Sequence, residues 1–437
     1  MKKTLLLTSL VASMVAMAGT TGSVEGYNKN EATFENGKDA TFVAKETGVK
    51  TEVKVEGTGF SFGGEFKAEN LKLSEDNKEN LLNHSNVWAK YELPELKGVK
   101  SYVQAKVEPK FIGADKGSAE LEGQVSYKYD VLTFGLNSKT NFPFVKSAGN
   151  DNYGKDVKST HKVFVESEEG KDVFVKGLKD VKANVEVKHD YKKIEENHKA
   201  SEAVDYVSGE ASAKYDAVKD LELEGKVSFK KNISAEEIDD YKVLETKLFE
   251  KKEARYIHSY ELKGTYTGVK HLTLSAKPFV AHVNLSKDEQ SRTDKVVYGV
   301  ELGTEYKMLN DKLTLTGKSL LAGVHDRKID EIKTNTGVFV FDANAKYDYS
   351  VTDKFTVSPE ANANLELLVS KKVDKLVTEP TLTLTPKVSA EYKPTDTLTL
   401  KGSVEAPVKF GVNAANQKFE YKQTQVKTSL NLKYEWK

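Results

Sequence analysis

The sequence predicts an all-β protein, a transmembrane antiparallel up-and-down β-barrel of roughly 18 strands, within about 16 to 20. Three observations predict it: an export signal at the N-terminus, long segments in which polar and apolar residues strictly alternate, and a hairpin-sized internal repeat.

The export signal comes first in the chain. Lys2 and Lys3 precede an apolar run from Leu5 to Val15, and Ala16, Met17 and Ala18 then lead into Gly19. This is the layout of a secretory signal peptide cleaved after Ala18, so residues 1–18 are set apart from the fold. The apolar run is too short to serve as a membrane anchor. With no cysteine anywhere, the chain offers no site for lipid attachment, no disulfides and no thiol chemistry. Its 66 basic and 66 acidic residues cancel, which argues against a nucleic-acid partner, since binding one needs a basic excess.

Hydropathy alone shows no second apolar run long enough for a membrane helix. Periodicity shows something else. In 397–410, Leu398, Leu400, Val404, Ala406, Val408 and Phe410 share one parity, while Thr397, Lys401, Ser403, Glu405 and Lys409 share the other. Leu382, Leu384, Val388, Ala390 and Tyr392 stand against Thr383, Lys387, Ser389 and Glu391 in the same way. Leu221, Leu223, Val227 and Phe229 stand against Glu222, Glu224, Lys226 and Ser228. Period-two alternation is a strand with one dry and one wet side. Many of these runs exceed a dozen residues, about twice the usual strand of a soluble domain. A lysine pointing into the bilayer midplane costs about 2 to 4 kcal/mol, so charges confined to one parity are what a lipid-facing sheet requires.

The repeat joins a tyrosine to the next alternating run through a short turn: Tyr215 to Leu221, Tyr266 to Leu272, Tyr306 to Leu313, Tyr349 to Phe355 and Tyr392 to Leu398. Each period has room for two long strands and one polar loop, a meander of hairpins. Tyr215, Tyr266, Tyr306, Tyr349 and Tyr392 are then candidates for an aromatic girdle at the membrane interface. Counting upward from Gly59 gives the strand number, with 58–437 as the barrel. Residues 19–57 supply either a leader or the first strands. Residues 160–177 read as one long strand or as a hairpin. The longer connections fall near 74–84, 141–158, 191–204, 231–254, 285–294, 326–335, 369–376 and 412–419. Within 231–254, Ser234 and Glu237 form a capping-box pattern, and Ile238, Tyr241, Leu244 and Leu248 recur at helical spacing, so the segment reads either as a helix, capping the rim or folding inward, or as a solvated loop.

At the C-terminus Thr424, Val426, Thr428, Leu430, Leu432, Tyr434 and Trp436 alternate with polar residues, and Lys437 follows. The stretch resembles the C-terminal assembly signal of bacterial outer-membrane β-barrel proteins, carried here by Leu432, Tyr434 and Trp436, with Lys437 departing from the pattern of a closing aromatic. The lysine-rich, arginine-poor, cysteine-free composition resembles the porin-type outer-membrane proteins of fusobacteria. The resemblance implies a bacterial outer-membrane location among its lipids, insertion by the barrel-assembly machinery, frequent homotrimers, and a passive channel for small hydrophilic solutes and ions.

A wide barrel with a mixed wet parity points the same way, because such side chains cannot fill the interior. The candidate pore-lining charges are Glu222, Glu224, Lys226, Glu301, Glu305, Lys387, Glu391, Lys401, Glu405 and Lys409. Both signs are present, and Arg255, Arg292 and Arg327 are too few for an arginine ladder, so weak charge selectivity is expected. The alternative is a structural or adhesive barrel with a plugged lumen and binding loops. No catalytic role, cofactor or metal is expected: the histidines lack HExxH spacing, no GxSxG is present, the glycines of GTGFSFGG at 57–64 lack dinucleotide spacing, and NDNYGKD at 150–156 lacks the ligand order of a calcium loop.

Overall fold

The computed structural model describes residues 19–72, 85–109, 117–144, 157–190, 204–232, 256–284, 293–328, 331–372, 375–412 and 418–436, together with four short segments between 237 and 253. Residues 1–18 and the 150–156 stretch lie outside the described residues.

One sheet takes in 22 strand segments. Two of them continue a preceding strand: Tyr349–Thr352 prolongs Glu331–Tyr347, and Val408–Val412 prolongs Leu398–Glu405 beyond Ala406 and Pro407. The wall therefore has 20 strands. They are β1 (Thr20–Glu35), β2 (Thr41–Val55), β3 (Phe60–Lys72), β4 (Asn86–Leu96), β5 (Val99–Pro109), β6 (Gly117–Tyr129), β7 (Leu132–Pro143), β8 (Lys158–Ser167), β9 (Leu178–Asp190) and β10 (Val204–Val218). After them come β11 (Leu221–Asn232), β12 (Tyr256–Val269), β13 (Leu272–Asn284), β14 (Thr293–Met308), β15 (Leu313–Lys328), the prolonged β16, β17 (Phe355–Lys372), β18 (Lys375–Thr395), the prolonged β19 and β20 (Phe419–Trp436). Each strand pairs antiparallel with its sequence neighbours, and β1 pairs with β20 from Gly22↔Trp436 to Glu35↔Gln423. The sheet is thereby closed.

Taking away β1 and β2 leaves 18 strands beyond Gly59, the number counted from the sequence. The stretch left open as leader or first strands forms the first hairpin of the wall. The question over 160–177 resolves into a strand that stops at Ser167 and a turn carrying one isolated bridge between Val173 and Val175.

Short turns gather at one end of the barrel. Asp130, Asp220 and His271 sit there with φ of 52°, 60° and 63°. Left-handed backbone suits aspartate, whose short polar side chain tolerates it better than most.

At the opposite end three expectations need correction. The loops placed at 326–335 and 369–376 are largely strand, since β15 runs to Lys328, β16 begins at Glu331, β17 runs to Lys372 and β18 begins at Lys375. Backbone pairing continues past the alternating region because in water both faces of a hairpin accept polar side chains. The helix reading of 231–254 is replaced by short antiparallel pairings, Glu237–Ile238 with Lys252–Glu253 and Tyr241–Val243 with Thr246–Phe249. This connection joins two adjacent antiparallel strands, and Tyr, Val, Thr and Phe favour extended backbone. Ser234 of the capping pattern lies outside the described residues.

Parity assigns the faces. Leu121, Val125, Leu136, Val163, Leu262, Leu302, Leu321, Val388, Val404 and Leu430 are all exposed on the outside of the closed sheet. The girdle candidates Tyr215, Tyr266, Tyr306, Tyr349 and Tyr392 are exposed on the same face near the short turns. Phe34, Phe142, Phe229, Tyr260, Tyr298 and Phe419 are exposed toward the other end. On β14, Tyr298 and Tyr306 stand eight residues apart, roughly 20 Å along the barrel axis at a tilt near 40°. That is close to the height of an outer-membrane apolar band, roughly 25 Å.

Candidate functional site

The candidate site is the inner face of the wall. Twenty strands spaced about 4.8 Å apart and tilted near 40° enclose a cylinder roughly 40 Å across between backbones. Side chains on the wet parity reach inward by several ångströms and leave a wide interior.

The pore-lining candidates all share the inward parity, and most meet an opposite charge on a neighbouring strand. Lys226 on β11 pairs with Glu210 at 2.8 Å, and Glu301 on β14 pairs with Lys277 at 3.0 Å. Lys387 on β18 pairs with Glu360 at 3.5 Å, and Glu405 on β19 with Lys427 at 3.4 Å. Glu391 takes both Lys401 at 2.7 Å and Lys393 at 2.5 Å. Glu305 pairs with Lys307 two residues along its own strand, at 3.3 Å. Lys409 stands in register with Thr383 and Gln423 instead. Glu222 stands opposite Lys214 in charge, and Glu224 stands opposite it in register.

Glu224 also helps line a recess of about 650 Å³ near the short-turn end, with Lys100, Lys128, Glu166, Asp180 and Lys214. Lys128 pairs there with Glu168 at 2.9 Å and Lys214 with Asp180 at 3.2 Å. The hydrogen bond donated by Lys128 holds the Glu168 carboxyl below the ordinary glutamate range.

Three inward tyrosines escaped the sequence reading, which assigned tyrosine to the girdle. Tyr27 donates to Glu65 at 2.7 Å, Tyr102 to Glu122 at 2.6 Å and Tyr206 to Glu186 at 2.7 Å. Lys90 stands 4.3 Å from the Tyr102 ring centroid and Lys230 4.2 Å from that of Tyr206, within cation–π range. Their parity is the signal that finds them: Tyr102 alternates in step with Lys100, Gln104 and Lys106, and Tyr206 with Ser208, Glu210 and Ser212.

The C-terminal strand sits at the closure. Leu430, Leu432 and Tyr434 face outward, and Tyr434 stacks on Trp436 with centroids 6.3 Å apart. Arg327 is the next-to-last residue of β15, while Arg255 and Arg292 lie outside the described residues.

No family model and no curated protein sequence matches the chain. Among solved structures it is similar to OmpT, an outer membrane protein of Vibrio cholerae in its trimer form, at 11% identity and TM-score 0.38 over 96% of this chain and 100% of that one. It is also similar to OccK11 of Pseudomonas aeruginosa, at 10% identity and TM-score 0.43 over 96% of each chain. OccAB2 of Acinetobacter baumannii aligns at 8% identity and TM-score 0.44 over 96% of this chain and 99% of that one.

Proposed function

We propose that the protein is a bacterial outer-membrane channel through which small hydrophilic solutes and ions diffuse passively, with weak charge selectivity. The observation that carries this reading is the division of one closed wall into an apolar outside and an inside lined by Lys–Glu pairs on neighbouring strands. The outside needs hydrocarbon, because leaving so much apolar surface in water is unfavourable by about 25 cal/mol per Å². The closed ladder leaves no backbone edge unsatisfied in lipid. In this reading the leading 18 residues export the chain and are removed, and the assembly machinery inserts it.

Weak selectivity follows from pairing. A carboxylate beside an ammonium presents a dipole to a passing ion, and at physiological salt that field decays within about 8 Å. Reconstitution into planar bilayers tests the reading: stepwise conductance and a reversal potential near zero in a KCl gradient are expected. A strong preference for either ion overturns the selectivity. Persistent silence of correctly folded protein overturns the channel and favours the plugged, loop-binding barrel.

A further inference from the structure

Polar rings interrupt the apolar outer face near the loop end. His161, His189, His258, His282 and His325 all take the outward parity there. Two of them meet across a seam. His161 on β8 stands two residues from Val163, and His189 on β9 four from Val185, both valines being exposed on the outside. His189 is in register with Ser159 and His161 with Val187, so the two imidazoles are diagonal neighbours. Their ring centroids lie 5.6 Å apart with the planes at 63°. Ser138 on β7, in register with His161, places its hydroxyl 3.0 Å from the Nδ1 of that ring. The bond orients the imidazole and leaves Nε2 for a further partner.

We propose that His161 and His189 chelate a divalent transition-metal ion of the zinc type on the outer face of the barrel. Two imidazoles on a tetrahedral ion, with metal–nitrogen distances of about 2.1 Å, have ring centroids about 5 Å apart, so the rings stand close to their coordinating separation. Imidazole nitrogen suits zinc, nickel and copper, whereas magnesium and calcium take oxygen. Ser138 supplies the hydrogen bond to the second ring nitrogen that fixes a coordinating histidine. Ser138, Thr140, Ser159, Val163 and Val187 surround the pair on this face, with no cation among them to repel the ion. Motif spacing cannot reveal such a site, because the two rings come from different strands. Among the described residues no third histidine, aspartate or glutamate completes a group that could hold a metal ion. The chain therefore supplies two ligands and leaves the other positions open. Phe142, exposed two residues beyond Thr140, belongs to the aromatic belt at this depth, so those positions face the headgroup layer, where water and phosphate oxygens complete the shell. Bound there, the ion ties the loop-side end of β8 to that of β9. The other facing pair, His258 and His282, is different, since the Tyr256 ring packs against both, at centroid distances of 5.3 and 5.6 Å.

Zinc titration of the folded, untagged full-length barrel in detergent tests this by calorimetry, with copper(II) paramagnetic resonance reporting nitrogen ligands. Heat-modifiable migration confirms that each variant is folded. His161→Gln and His189→Gln are each expected to weaken the site tenfold or more and to remove the two-nitrogen pattern from the copper spectrum. Ser138→Ala weakens it by a smaller factor, while His258→Gln and His271→Gln leave it unchanged. Absence of binding by the wild type, binding that survives either substitution of the pair, or an equal loss in His258→Gln overturns the proposal. The readout is equilibrium binding, so the result stands whether or not the barrel conducts.

Discussion

Trp436 lies over Gly22 at the point where the last strand meets the first. The two are paired in register, and a Cβ on Gly22 would stand 2.5 Å from the Trp436 ring. Val53, the next residue across on β2, is fully buried. An aromatic covering a glycine of the adjacent strand is a recognised device for fixing register. Gly22→Ala is therefore expected to destabilise the folded barrel by about 1 to 3 kcal/mol, the usual range for overpacking. Gly26→Ala, where a Cβ meets nothing within 4 Å, serves as the matched control and should be close to neutral. Denaturant midpoints in detergent micelles compare the two; equal midpoints would count against a register role for Trp436.

Charge placement on β6 separates the two faces. Leu121 is 48% exposed on the outside, whereas Gln124 has the inward parity. Leu121→Lys should cost about 2 to 4 kcal/mol in a bilayer and Gln124→Lys little. Reversible unfolding from lipid vesicles gives both values, and a reversal of the order would turn the wall inside out.

Removing one lumen charge should tilt selectivity. Glu391 holds Lys393 and Lys401, so Glu391→Gln leaves two ammonium groups without their carboxylate. The reversal potential is expected to move toward anion preference, on the order of twofold in permeability ratio at low salt and less at high salt because of screening. An unchanged reversal potential would place Glu391 outside the conducting path.

The Glu168–Lys128 pair carries a pH signature. Its carboxyl is depressed in the folded barrel, so the pair's contribution is present above the unfolded glutamate value of about 4.3 and disappears as pH falls through the lower folded value. Titration of the Glu168 carboxyl carbon by NMR should show it below an ordinary glutamate, with return to the ordinary range in Lys128→Gln. Coincident titrations in the two proteins would show that the pair does not form in solution.

Much of this was readable in the residues, for a definite reason. Hydrocarbon penalises charge strongly enough that Leu398, Leu400 and Val404 cannot trade parity with Lys401 and Glu405, and five of the turns are announced by a tyrosine. Where water lies on both sides, that penalty vanishes. Polar residues near 326–335 and 369–376 are as compatible with a projecting ribbon as with a loop, and the structure makes them strand. In 231–254 helical spacing competes with extended preferences in the same few residues. One apolar stretch of the inner wall was hidden differently: Phe279, Ala281 and Val283, buried on the inward face, alternate with Pro278 and Val280, so both parities are apolar and alternation identifies no face. That local failure of the pattern is itself the sign of a strand covered on both sides.

The pairing of β1 with β20 also sets the order of events in assembly. Asn431 donates to Glu25 across 406 residues of chain, whereas every other seam of the wall is closed between sequence neighbours. Contacts so distant along the chain are slow to form. Nineteen hairpin steps can therefore run ahead as local chemistry, while the final zippering waits for both ends. Until that moment the growing sheet carries two raw margins, and whatever shields them in the cell governs the yield of finished barrels.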